Sequence, residues 1–171
     1  GFRPIVIERG SRVEKRTCDV QKFWESGILN PKSNVQFGEG GAGTFSDGKL
    51  NTSVKDPSGR NRLVLETFVR FGADPSILYD NKPHIGTDVL SEVIVNMREF
   101  LVDKGATFVF DTCVNNLDIV SQKLLSVYTD SDSNSNSEIK TDVCVLALGH
   151  SARDTFEMLE REKFLMQAKS F

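Results

Sequence analysis

The residues with chemical potential fall in four places. Gly38-x-Gly40-x-x-Gly43 matches, letter for letter, the glycine spacing that lets backbone approach a dinucleotide pyrophosphate. Five of the thirteen residues from Phe37 to Lys49 are Gly, with Thr44, Ser46 and Lys49 among them, a composition suited to a cradle of N–H groups around an anion. Glu8 closes the apolar run Ile5-Val6-Ile7, where an acidic residue can hold ribose hydroxyls. His84 sits in the loop Pro83–Gly86, where a loop histidine fixing backbone by hydrogen bonds is the commoner reading, and His150 follows Gly149 after an apolar run, where it is read equally well as a helix-start residue. Cys18, Cys113 and Cys144 are odd in number and lack C-x-x-C spacing, which argues against a disulfide framework, a dithiol centre and, with only two histidines, a structural zinc.

The elements that must position these residues follow from periodicity. Pro4 and Ile5–Ile7 read as a buried strand closed by Gly10. Residues Ser11–Trp24 read as a polar helix anchored by Val13, Val20, Phe23 and Trp24, ending at Gly27. Leu63, Val64, Phe68 and Val69 form a second helical stripe, closed by Gly72 and Pro75. Thr87 and Asp88 are candidate N-caps for a third helix, in which Val89, Leu90, Val93, Ile94, Met97, Phe100 and Leu101 keep three-to-four spacing up to Lys104-Gly105. Thr107–Phe110, Val114–Leu117 and Leu124–Tyr128 read as strands, the last two in a meander with a hairpin tip at Ser131–Ser137. Val143–Leu148 is apolar throughout, the pattern of a strand covered on both faces, with Cys144 packed as a small hydrophobe. A helix carrying Phe156 and Leu159 follows, and its charges from Arg153 and Asp154 to Glu162 read as a solvated face.

Context decides against the glycine pattern as a Rossmann turn. That turn needs a strand before it and a helix directly after it. Thr44–Gly59 is instead polar and broken by Gly48, Pro57 and Gly59, and Glu39 would put a carboxylate among amides meant for an anion. If Glu8 is the acidic residue of the true fingerprint, that glycine turn precedes Gly1. The chain, 171 residues with 21 Lys plus Arg against 24 Asp plus Glu and a formal charge of −3, is one domain's length. Its near-neutral balance argues against nucleic acid. No apolar run approaches the roughly 18 residues of a membrane span, and a cytoplasmic location is expected from that and the unpaired cysteines. Both ends read as cut from something longer.

Four segments together carry a resemblance: Arg3–Gly10, Ser33–Leu50, Pro83–Asp88 and Val145–Leu159. They resemble, in order along nearly the whole chain, the bacterial FAD-dependent dehydrogenases of the glutathione-reductase-type flavoprotein superfamily. The resemblance implies an α/β fold: an incomplete Rossmann-like FAD-binding domain over 1–171, lacking the first strand and its glycine turn, with a β-meander insertion over 107–140. It implies FAD as cofactor, a small-molecule substrate, and NAD(P)H as a possible electron donor. By the same resemblance Glu8 binds the adenosine ribose and Arg9 lies beside the adenine. Gly40, Gly41, Gly43, Thr44, Ser46 and Lys49 line the pyrophosphate-to-isoalloxazine stretch. Val114 offers backbone to the adenine edge, and Ala147, Gly149 and His150 form a strand-end turn closing over the dinucleotide. No catalytic acid or base is assigned. A non-redox nucleotide-binding module and a fragment that binds nothing alone are the competing readings. The implied missing strand lies between Ile5–Ile7 and Val143–Leu148, so the chain alone is expected to expose edges and to bind FAD poorly.

Overall fold

The computed structural model describes residues 2–46, 48–50, 56–80, 82–131 and 137–168. It is a mixed α/β structure with one small parallel sheet and one antiparallel sheet. Strand β1 (Ile5–Ile7) leads into helix α1 (Val13–Ser26), whose buried face is Val13, Arg16 and Val20 at three-to-four spacing. Gly27 ends α1 in a left-handed conformation, its N–H donating to Phe23 O at 2.8 Å. The Gly-rich segment follows and ends in a single 3-10 turn, Ala42–Phe45.

Helix α2 (Arg60–Arg70), a 3-10 turn at Pro75–Leu78 and helix α3 (Thr87–Asp103) enclose one apolar core: Ala73, Ile77, Ile85, Leu90 and Val93. Thr87 and Asp88 do not cap α3, as expected from their type; they are its first two residues, and Gly86 holds the N-cap position without a side-chain bond. The reason is local. The Thr87 hydroxyl donates instead to Ser46 O at 3.3 Å, and Asp88 sits in the first turn, where the helix dipole favours a carboxylate.

After α3, strand β2 (Thr107–Val109) pairs in parallel with β1, Ile5 against Thr107 and Ile7 against Val109. Strands β3 (Thr112–Val120), β4 (Lys123–Ser131) and β5 (Ser137–Lys140) form the antiparallel meander. Ser121 and Gln122 turn the β3–β4 hairpin with both φ angles positive, the backbone a two-residue primed turn requires. Most of the hairpin tip read at Ser131–Ser137 lies outside the described residues. Helix α4 (Arg153–Arg161) lays Met158 and Leu159 on the meander beside Leu117 and Val127, a second core that Ile7 and Leu148 also touch.

Val143–Leu148 corrects the sequence reading. It carries no strand pairing, and Val143 and Val145 are 70% and 84% exposed, with Cys144 exposed between them. Continuous apolar character predicts cover on both faces, but a strand also needs a neighbour for its N–H and C=O groups. Among the described residues none forms a ladder with this run. Only Leu148 reaches a core. Ile5 and Val6 of β1 are exposed as well, and among the described residues β1 pairs only with β2, leaving its other edge open.

Candidate functional site

The site is built on the turn that leaves β1. Glu8 Oε1 accepts the N–H of Gly10 at 2.8 Å and the N–H of Gly38 at 3.0 Å, so one carboxylate staples the Gly-rich segment to the strand end. The two backbones meet so closely that a Cβ on Gly10 would lie 2.5 Å from Gly38 Cα. Gly38 has φ near +120°, and a Cβ there would strike the Arg16 side chain at 2.4 Å. Both glycines are therefore structural requirements of the docking.

Arg16, fully buried, fastens the segment from below. Its Nε donates to Asn34 O at 2.8 Å. Nη1 donates to the carbonyls of Gly38, Glu39 and Gly41 at 3.1, 2.6 and 2.8 Å, and Nη2 to Val35 O at 3.1 Å. The guanidinium also lies 4.7 Å from the Phe45 ring centroid. Burial pulls its pKa down to about 10, against the raising influence of Glu8 and Glu39, so it stays charged at neutral pH.

Glu39, which weighed against a pyrophosphate turn in the sequence, points inward. Its Oε2 accepts the Val13 N–H at 2.8 Å, capping α1 in place of Arg12, and accepts Arg98 Nη1 at 2.6 Å. Arg98, on α3, also grips Glu14 of α1 through Nη2 to Oε1 at 2.6 Å and Nη1 to Oε2 at 3.2 Å. The bond to Arg98 holds the Glu14 carboxyl below its ordinary range, whereas burial pushes that of Glu39 up.

Arg9 joins the third part of the site. Its Nη2 donates to Asp154 Oδ1 and Oδ2 at 2.7 and 2.9 Å, to Thr155 Oγ1 at 3.2 Å and to Cys113 Sγ at 3.3 Å, while the guanidinium lies 4.6 Å from the Phe37 ring centroid. Asp154 thus tethers α4 through a side chain that is 60% exposed, on the face read as solvated. Burial opposes its ionisation, but the bonds from Arg9 prevail and its pKa falls. The Cys113 thiol is pushed up by burial, away from nucleophilic character.

The structure therefore brings Glu8 and Arg9 against the Gly-rich segment, and places Val114, on β3 beside Cys113, at the same end. Gly41 and Gly43 have open space where a Cβ would stand, whereas at Gly40 a Cβ would meet Thr44 Oγ1 at 2.3 Å and Ile94 at 2.4 Å. Thr44 is buried beneath the segment rather than facing out. Ser46 donates to Gly43 O at 2.9 Å and lies toward α3. Lys49 pairs across an antiparallel bridge with His84, an association that sequence spacing does not show. Ala147, Gly149 and His150 are exposed on the run leading into α4. Open grooves of about 300 Å³ between α1 and α3 and about 600 Å³ beside Phe108 and Phe110 lie away from the predicted residues.

Sequence reading missed Arg16, Arg98 and Glu14. One signal was available: Arg16 stands between Val13 and Val20 on the apolar face of α1, where a charge must be satisfied inside.

No family model matches the chain. The chain is 46% identical over all 171 residues to an uncharacterised protein of Clostridium beijerinckii and spans 31% of that protein's length. A solved structure, the Kutzneria sp. 744 ornithine N-hydroxylase KtzI with FADred, NADP+ and L-orn, is 12% identical, with 86% of this chain and 35% of that one covered at a TM-score of 0.31. A likeness at that level defines neither fold nor activity. No described helix is long and apolar enough to cross a membrane.

Proposed function

We propose that the chain is the dinucleotide-holding part of an FAD-dependent oxidoreductase. The observation that carries this reading is the convergence at the end of β1. Glu8 and Arg9, the segment Phe37–Thr44, Cys113-Val114 and the start of α4 are far apart in sequence, and the contacts of Glu8 and Arg9 tie them into one cluster. Three of these, Glu8-Arg9, Phe37–Thr44 and the start of α4, lie in segments that carry the resemblance to flavoprotein dehydrogenases, and that resemblance also implies a role for Val114; their juxtaposition is what a shared ligand site requires.

The residues fit an anionic dinucleotide in part. Gly41 and Gly43 leave room for close backbone approach, and Glu8 offers carboxylate oxygens at a strand end. Gly40 and Thr44 set the shape of the segment, while Arg16 holds it from inside. Ser46, Lys49, Ala147, Gly149 and His150 complete the proposed lining. When bound, the flavin supplies hydride or electron transfer, and the protein's part is to bind, orient and shield it. NAD(P)H as electron donor and a small-molecule substrate belong to the same reading. The Glu8 oxygen already shared by two backbone amides favours a second, purely structural role for that residue.

The test is optical. The full-length Clostridium beijerinckii relative, purified, is expected to carry the two visible absorption bands of bound flavin, and the 171-residue chain to take up FAD weakly. A relative that neither purifies with flavin nor takes it up on incubation contradicts the proposal.

A further inference from the structure

The Gly-rich segment lies along one face of α3. Ser46 O accepts the Thr87 hydroxyl at 3.3 Å, a Cβ on Gly40 would lie 2.4 Å from Ile94 Cδ1, and Glu39 Oε2 accepts Arg98 Nη1 at 2.6 Å. Thr87, Ile94 and Arg98 stand at i, i+7 and i+11, on one side of the helix over about three turns. Their partners come in the reverse order, so the segment is laid antiparallel to the helix. The adjoining face of α3 is fixed independently. Leu90 and Val93 are buried in the core with Ile77 and Ile85, and Met97 packs on them. A helix face held in that way places what rests on it more accurately than a loop does.

Of the three contacts, the one at Arg98 carries charge. The Val13 N–H and Arg98 Nη1 both fall on Glu39 Oε2, whereas Oε1 is buried and no donor among the described residues reaches it. A bond of 2.6 Å to a guanidinium is the geometry of an ionised carboxylate, and such bonds are about twice as strong as neutral ones. Glu39 directly precedes Gly40, so what holds its side chain holds the entry to the turn. Arg98 has a second arm. Its Nη2 and Nη1 bond Glu14 at 2.6 and 3.2 Å, which braces α3 against α1 at a half-exposed side chain.

We propose that α3 is the template for the Gly-rich segment and that Arg98 is its positioning residue. The arm to Glu39, rather than the brace to Glu14, sets where Gly40–Ser46 present their backbone. That this backbone meets a dinucleotide rests on the reading above; the template itself does not.

Amide NMR on the 171-residue chain separates the two arms. Arg98→Gln removes the charge from both. The Val13 and Gly40–Ser46 amides are expected to shift. Exchange of the hydrogen-bonded Gly41, Thr44 and Ser46 amides is expected to speed up about tenfold or more relative to Leu117 and Val127 in the other core, the worth of a charge-assisted bond. A residue that served stability alone would loosen both regions together. Arg98→Lys returns a cation to Glu39 and recovers part of the protection. Glu14→Gln cuts only the brace and leaves the segment as in the parent, and this half-exposed site decides the question even if Arg98→Gln does not fold. A segment unmoved by Arg98→Gln, a lysine that recovers nothing, or a segment loosened by Glu14→Gln overturns the proposal. Added FAD is a separate arm. A parent chain whose Gly40–Ser46 amides ignore FAD fails the cofactor reading and leaves the positioning result standing, whereas identical FAD responses in the parent and Arg98→Gln refute positioning.

Discussion

At the scale of single residues, the molecule spends its buried charges on holding backbone. Arg16 donates to five carbonyls spread over Asn34 to Gly41, a pattern only a planar fork with five N–H groups can serve. Arg16→Met keeps much of the volume and removes every one of those bonds, leaving buried carbonyls without donors. The expected loss is about 3 kcal/mol or more, with the amides of residues 34–41 losing exchange protection first. Arg16→Lys recovers little of it, because an ammonium cannot span the set; a lysine variant as stable as the parent would contradict this assignment. The ion pairs set a separate pH dependence. Glu14 and Asp154 have lowered pKa values in the folded chain, so their contribution is present above their unfolded values of about 4.5 and 3.8 and is lost as pH falls through the folded ones. Urea midpoints should therefore drop on acidification below about pH 4, and Asp154→Asn should flatten part of that drop.

At the scale of elements, legibility in the sequence followed the range of the interactions. The helices α2 and α3 were readable because each carries its own apolar stripe and its own stop, such as Phe68 and Val69 before Gly72, and α4 was read from Phe156 and Leu159 without a stop. The β3–β4 hairpin was readable for the same local reason. Val143–Leu148 was not, because a strand is completed by its neighbour, and the apolar pattern says what a segment needs rather than what it has. The cap of α1 was hidden for a similar reason: the carboxylate that serves Val13 arrives from Glu39, 26 residues on. The candidate site shows the same division. Its glycines and Glu8 were visible as types, whereas the pairing of Arg9 with Asp154, 145 residues apart, was not. Val145 offers a direct check on the corrected element. At 84% exposure, Val145→Lys should change the stability of this chain by no more than about 0.5 kcal/mol, whereas a valine in a covered strand would cost several. A loss above about 2 kcal/mol would restore the buried strand.

At the scale of the whole molecule, two apolar cores and a charged seam between them define what the chain can hold. One core joins α2 and α3, the other joins the meander and α4, and the Gly-rich segment is clamped near the end of β1 by Glu8, Arg16 and Glu39. A preorganised backbone loop of this kind is suited to bind a ligand rather than to do chemistry itself, which is the division of labour in cofactor enzymes. The chain spans 31% of the length of its Clostridium relative. The central claim is that the cluster at the end of β1 is a dinucleotide site. It is tested most directly by adding FAD at millimolar concentration to the isotopically labelled chain and mapping which backbone amides shift. The account predicts shifts confined to Glu8–Gly10, Gly40–Ser46, Lys49, Val114 and Ala147–His150, saturating together. Shifts scattered over the surface, or centred on the groove beside Phe108 and Phe110, would contradict it.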